Sequence, residues 1–422
     1  MLLDDARTRS GPPRRPDEVE LDRSVPALLL KLGSYPLHHG GLGVVRSLGR
    51  AGVDVYAVTE GPVTPVALSR HLRGRFSWPT TGGEDPAELA EGLHGIARAL
   101  GRRAVLVPTD DESAVAVAEL GDVLADDFLF PRCADPTLPR RAASKEGLAA
   151  LCAEHGVPTP HTLVPGSLDE VEDYAAHGAF PVVVKSRAPF ERHLHPSVRS
   201  STVVDTPDEL RAMALDWDEQ PWVILQEYLP PEVSEDWVVH AWSAPGDSAV
   251  FTGVKLRSWP PRAGITTAGR ARWNPELADL ATRLFDAVGF SGIADLDVRR
   301  DLRDGRYKLV DFNPRVGAQF RLFEDGAGLD VVRAQHLGLT GRPLPHGEFP
   351  EGRAFVVEDF DYVARVAYRG GHTDGPAPAG RAPTTEHGWF AVDDPLPVLP
   401  MVVGRARPVL SRAARYVRLR RR

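Results

Sequence analysis

The chain is predicted to open with a doubly wound α/β domain and to continue as an α+β region. Three observations carry that expectation. Strand-like and helix-like segments alternate from Val25 to Leu120, the pattern of a parallel sheet flanked by helices. Further strands at Val182–Lys185, Trp222–Leu225, Trp237–Trp242 and Val250–Lys255 then mix with helices at Asp208–Leu215 and Pro275–Val288. A polar hairpin follows, running from Asp295 to Gly317.

In the first region, Ala27–Leu32 is a short apolar run ending in Gly33, and Ser34–Gly41 is a loop. Gly43–Ala51 reads as a helix with Val44, Val45 and Leu48 on one face. Val53–Val58 is a strand, Ala87–Leu100 a helix, Ala104–Val107 a strand and Glu112–Leu120 a helix. In such a sheet the functional loops sit at the carboxyl ends of the strands. Ser34–Gly43 and Pro108–Ser113 are therefore expected on one edge. His38, His39 and Arg46 stand on or after the first loop, whose following helix offers free amides to an anion. This makes His38, Gly41 and Gly43 candidate substrate contacts. Asp110, in Thr109-Asp110-Asp111-Glu112, either attracts an amine or caps the next helix.

Ser144 is a fitting N-cap for a helix over Lys145–His155, and Gly156, Pro158 and Pro160 end it. Lys185 ends an all-apolar strand, where a compact charge suits a polyphosphate. Gln226-Glu227-Tyr228-Leu229 leaves a strand just before Pro230 and Pro231. Backbone groups in so abrupt a connection can pair with a base edge.

The hairpin turns at Arg303-Asp304-Gly305-Arg306. Alternation puts Asp295 and Asp297 on one face of its first strand. On the second strand it groups Tyr307, Leu309, Asp311 and Asn313, with Val310 and Phe312 opposite. If the strands pair, Asp297, Asp311 and Asn313 gather. Two carboxylates and an amide oxygen are hard ligands suited to magnesium that keeps waters or phosphates. Arg315 sits just beyond, placed to hold a phosphate or carboxylate.

Composition sets the frame. The 422 residues allow two or three domains, with 42% hydrophobic and 26% charged residues, ordinary for a globular enzyme. A formal net charge of -8 argues against nucleic acid as a partner. Cys133 and Cys152 are the only cysteines, which suggests neither a disulfide framework nor a cysteine zinc site and places the chain in a reducing, cytoplasmic compartment. Residues 1–23 read as a disordered leader, and Gly370–Pro383 as a linker. In the basic tail from Gly404 to Arg422, Val409, Leu410, Ala413, Tyr416 and Val417 share a helical stripe. That helix either lies on an anionic membrane or lipid-linked substrate, or is solvated.

Taken in order, these motifs resemble the ATP-grasp superfamily over Leu28–Gly341. Within it the chain looks like a branch of carboxylate–amine ligases that includes D-aspartate ligases, which Phe251–Arg257 and Asp311–Arg315 typify. The resemblance implies a pre-ATP-grasp α/β domain at 24–140 and a two-lobed ATP-grasp domain at 141–343. The small lobe would lie near 160–228, and an extension would follow at 344–422. It implies ATP and one or two Mg²⁺ as cofactors, and small-molecule carboxylate and amine substrates. Lys145 and Lys185 match the nucleotide lysines. Gln226, Glu227, Tyr228 and Leu229 match the adenine hinge, with Glu235 or Asp236 for the ribose. Asp297, Asp311 and Asn313 match the metal ligands, and Arg315 the arginine that stabilises an acyl phosphate, with Arg257 and Lys255 at the same edge. One departure stands out: Ser186–Ser201 contains no glycine, where the family often has a glycine-rich phosphate lid. Its Arg187, Arg192, His193, His195, Arg199, Ser200 and Ser201 are the substitutes on offer.

Two rivals compete. A nicotinamide-dependent oxidoreductase would use Gly41-x-Gly43 and Glu60, but Arg46 holds the third glycine position and the hairpin acids go unused. An ATP-dependent kinase or a nucleotide sensor would use the same fold.

Overall fold

The computed structural model describes residues 3–4, 19–191, 193–195, 201–368, 374–376 and 380–405. The segments alternate as expected. Strands Gly74–Ser77, Val55–Thr59, Ala27–Leu30, Ala104–Pro108 and Phe128–Leu129 lie parallel, and Leu3–Asp4 joins one edge antiparallel. Leu21 is buried in the core and the Val19 amide donates to the Ala327 carbonyl. The end of the proposed leader is thus packed, because an apolar residue follows its charged run.

Local signals placed the helices well. Asp85 caps Pro86–Leu100, Ser144 caps Lys145–His155, and Gly101 and Gly156 close them with φ of 65° and 66°. At such angles only glycine avoids strain. The first helix begins earlier than the glycines suggest, at His39, because the His38 ring caps it by accepting from the Gly41 amide.

A four-stranded antiparallel sheet follows, in the order Thr162–Leu163, Val223–Glu227, Val182–Ser186, Thr202–Val204. Helices Leu168–His177 and Pro207–Ala214 cover it with their own core around Val171, Leu210 and Trp217. A seven-stranded sheet forms the rest, in the order Tyr307–Asn313, Gly292–Asp301, Ser234–Ala244, Asp247–Trp259, Ile265–Ala271, Ala354–Val356, Thr385–His387. Helices Lys145–His155 and Pro275–Val288 pack on one face through Leu148, Leu277 and Phe285.

The other face shares one core with the first helix and with residues beyond Leu344. Leu42, Val45, Phe320, Phe355, Trp389 and Met401 all belong to it. The C-terminal stretch is therefore part of the fold. It adds two strands to the large sheet and is pinned by buried charge pairs, Arg46 with Asp394 and Arg257 with Asp361. Within the proposed linker, Asp374 is buried and accepts from Ser258 and Tyr368. The apolar stripe proposed for the basic tail lies outside the described residues. Among the described residues no helix is long and apolar enough to cross a membrane.

Candidate active site

Two strand bulges decide which side chains meet. Asp297 pairs with Asp311 and Asp295 with Asn313, but Val298 pairs with Leu309. Val310 is thus an extra residue, and the alternation changes phase there. Tyr307 and Leu309 turn into the core with Phe312, instead of sharing the face of Asp311 and Asn313 as strict alternation requires. Asp295, Asp297, Asp311, Asn313 and Arg315 all line one large cavity.

The second bulge skips Leu256, between Lys255 and Arg257. Lys255 faces the acids, its Nζ 3.0 Å from Asp297 Oδ1. Arg257 does not join that edge. Its guanidinium reaches helix Glu358–Ala367 and holds Asp361 at 2.7 and 3.1 Å. Its role is to anchor the C-terminal stretch, which removes it from the candidate catalytic set.

The two lysines converge as the motif order implied, though they come from separate elements. Lys145 Nζ lies 2.6 Å and Lys185 Nζ 3.4 Å from Asp311 Oδ1. Burial alone would push Asp311 up, but the two ammoniums hold it well below the usual carboxylate range. Burial draws Lys185 below its ordinary value despite Asp311.

Arg315 is the centre of a second cluster. Burial opposes its charge, yet Asp111 Oδ1 at 2.8 Å and Asp295 Oδ2 at 3.7 Å hold its pKa above the ordinary value. It also donates to Asn313 Oδ1 at 3.1 Å. Burial and the nearby Asp297 push Asp295 up to about 7. Beneath it His240 is fully buried, 3.3 Å from Asp295 Oδ1, and burial and Arg315 lower it to about 3, so the ring is neutral. A Cβ on Gly317 would stand 2.3 Å from His240 Cε1 and 2.5 Å from Asp295 Cγ. Gly317→Ala is expected to displace Asp295 and cost about 1–3 kcal/mol by overpacking, read as a lowered urea midpoint.

On the nucleotide side, Gln226, Glu227 and Leu229 line a narrow cavity with Val183, Lys185 and Asp236. Gln226 and Glu227 still belong to the strand. Tyr228 is not a lining residue, but its hydroxyl accepts at 3.1 Å from Arg262, which is. Asp236 points into the cavity and pairs with Arg299. Glu235 alternates to the other side, 3.7 Å from Arg300, so it is not a ribose contact in this conformation. Arg299 was not among the expected residues; it follows Asp295 and Asp297 at period two. This narrow part of the cleft measures about 80 Å³ and is continuous with the large cavity, with which it shares Lys255, Asp297 and Asp311.

The first loop borders the large cavity through Ser34, Tyr35 and His38. Gly41 and Gly43 are helical. A Cβ on Gly43 would meet Arg321 and Phe320 at 2.9 Å. That glycine serves close packing, and no anion can reach it. Arg46 is buried on Asp394, not at the substrate edge. Asp110 is a cap: it accepts from the Ser113 amide at 3.1 Å and from Leu32 and Gly33 at 2.9 and 2.6 Å. Its neighbour Asp111 is the residue that reaches Arg315. Glu60, the acid the oxidoreductase rival would use, is paired with Lys31 at 2.5 Å. In the glycine-free loop, Arg187 is held by Glu146 and stacks on Trp222, while Arg192, Arg199 and Ser200 lie outside the described residues.

The acids suit magnesium chemically. Asp297 Oδ1 is buried and accepts no aligned hydrogen bond, Lys255 notwithstanding. Among the described residues no group of three or more His, Cys, Asp or Glu could hold a metal by itself. Asp297, Asp311 and Asn313 would need phosphate oxygens and water to complete the shell, which is magnesium's usual habit.

No protein-family model matches the chain, and no curated sequence matches it. Solved structures do. An ADP complex of an N5-carboxyaminoimidazole ribonucleotide synthetase shares 13% identity over 77% of this chain and 79% of its own, with a TM-score of 0.57. The biotin carboxylase domain of Hydrogenobacter thermophilus 2-oxoglutarate carboxylase, solved with MgADP, ADP and bicarbonate, shares 14% over 76% and 71%, TM-score 0.55. The Staphylococcus aureus N5-carboxyaminoimidazole synthetase with ADP shares 12% over 77% and 80%, TM-score 0.55. Sheet order, lobes and fold neighbours agree: the chain has the ATP-grasp fold.

Proposed function

We propose that the protein is an ATP-dependent carboxylate–amine ligase. One observation carries the reading: two carboxylates, an amide and the cations Lys145, Lys185, Lys255 and Arg315 converge where the narrow and the large cavities meet. Neighbours of the same fold bind ADP. The domain limits follow the resemblance, except that residues beyond 344 complete the large sheet.

A carboxylate oxygen of the donor attacks the γ-phosphorus of ATP, the bond to ADP breaks, and an acyl phosphate forms. An amine nitrogen then attacks the acyl carbon, loses a proton, and expels inorganic phosphate, leaving an amide. Such transfer needs alignment and charge neutralisation more than covalent help. The lysines now balanced by Asp311 and Asp297 would turn to the phosphates. Freed, Asp297, Asp311 and Asn313 would hold magnesium, which neutralises β- and γ-phosphate charge. Gln226, Glu227 and Leu229 would line the base, and Asp236 is the better ribose candidate once Arg299 releases it. Arg315, held by Asp111, faces the incoming carboxylate and steadies charge on the acyl phosphate.

The test is product analysis with MgATP and paired carboxylates and amines. ADP, free phosphate and an amide support the ligase; phosphate retained on the substrate supports the kinase. Lys185→Ala should raise the MgATP Kd about tenfold or more, as loss of a charge-assisted hydrogen bond does. An unchanged Kd removes the lysine from the nucleotide site.

A further inference from the structure

The large cavity is divided chemically. One end holds Asp295, Asp297, Asp311, Asn313, Arg315 and Lys255. Its other walls come from the first loop, the segment after Val55–Thr59, the loop around Pro260, and the C-terminal stretch. They present Leu37, Val63, Leu68, Ile265, Leu399 and Val403. Val63 is 69% exposed, Leu399 58% and Val403 54%, so among the described residues apolar surface stays exposed beside the candidate site. The charged group at that end, Arg405, is already spoken for. Asp359 holds it at 2.7 Å, and it lies 4.1 Å from the centroid of the Phe360 ring. The cavity measures about 1320 Å³, above the range of about 300–1,000 Å³ usual for small-ligand pockets. A small polar acid such as aspartate would leave the apolar walls wet.

Resting on the ligase reading, we propose that the carboxylate substrate is amphipathic. Its carboxylate meets Arg315 and the γ-phosphate, and a bulky apolar body lies against Leu37, Val63, Leu68, Leu399 and Val403. The body is assigned to the carboxylate partner because its head is the group that Arg315 would hold at this cavity. The C-terminal helix at 398–405 becomes part of the specificity pocket.

The experiment uses the full chain, MgATP and hydroxylamine, which traps an acyl phosphate as a hydroxamate whatever the native amine is. Straight-chain acids from butanoate to dodecanoate are compared with glycine and aspartate. Hydroxamate formation should rise about fourfold in kcat/KM per added methylene until the cavity fills, as apolar burial predicts. Val403→Asp, on an exposed surface, should lower the dodecanoate value at least tenfold while MgATP affinity, followed by calorimetry, is retained. Preference for aspartate or glycine, no dependence on chain length, or an unaffected Val403→Asp would overturn the proposal. Bound MgATP with no hydroxamate from any acid overturns it too, yet leaves the nucleotide site standing. Failure to bind MgATP removes the ligase reading itself, and this proposal with it.

Discussion

Asp311→Asn should reduce ATP consumption by at least about a thousandfold, equivalent to about 4 kcal/mol of barrier. The carboxylate is a proposed magnesium ligand and the counter-charge to two buried lysines, Lys145 at 2.6 Å and Lys185 at 3.4 Å. The amide keeps the shape but not the charge. A weakened metal site removes several kcal/mol of charge stabilisation at the transferring phosphate. The variant should also be less stable without nucleotide, because two ammoniums then face each other in a buried site with no anion between them. MgATP, if it still binds, should restore part of that loss. The pH dependence supplies a check. The folded-state pKa of Asp311 is depressed below its unfolded value. Its stabilisation is therefore present above the unfolded value of about 4 and is lost as pH falls through the depressed one. The Asn variant lacks this contribution, so its stability should fall less steeply than the parent's below about pH 4. Turnover within tenfold of the parent would exclude Asp311 from the chemistry.

What could be read in advance divides along a physical line. Caps, closing glycines and apolar stripes are local, and Ser144, Asp85 and Gly156 behave as their positions imply. The convergence of Lys145, Lys185, Asp297, Asp311 and Asn313 was also legible, through the order of motifs. Strict alternation failed at two points. The bulge at Val310 sends Leu309 into the core, and the one at Leu256 parts Arg257 from Lys255. Neither bulge carries a glycine or proline to mark it. Neighbouring acids such as Asp110 and Asp111 look alike in sequence, but one satisfies backbone amides and the other meets Arg315, 204 positions away. No local pattern encodes a partner at that distance. Arg46 was misread for the same reason, since its partner Asp394 lies 348 positions downstream.

That long-range pair should dominate the stability of the C-terminal stretch. Arg46 is fully buried. It donates to Asp394 Oδ2 at 2.9 Å and to the carbonyls of Trp389 and Asp394 at 2.8 Å. The same carboxylate accepts from Ser69 Oγ at 2.7 Å and the Arg70 amide at 2.9 Å. Asp394→Ala strips the guanidinium of its counter-charge and orphans the other donors. Breaking a buried pair from one side costs about 3–5 kcal/mol, a large share of the 5–15 kcal/mol typical of a folded domain. Urea unfolding should show that loss. Replacing both partners, Arg46→Met with Asp394→Leu, should recover much of it, because no charge is then left buried. The same segment carries Asp361, the anchor of Arg257, and the wall residues Leu399 and Val403. Loosening it should therefore impair use of the carboxylate more than binding of MgATP, whose proposed contacts lie on other elements. A cost below about 1 kcal/mol, the range of a surface pair, would mean that Trp389 and the added strands hold the segment without help from the pair.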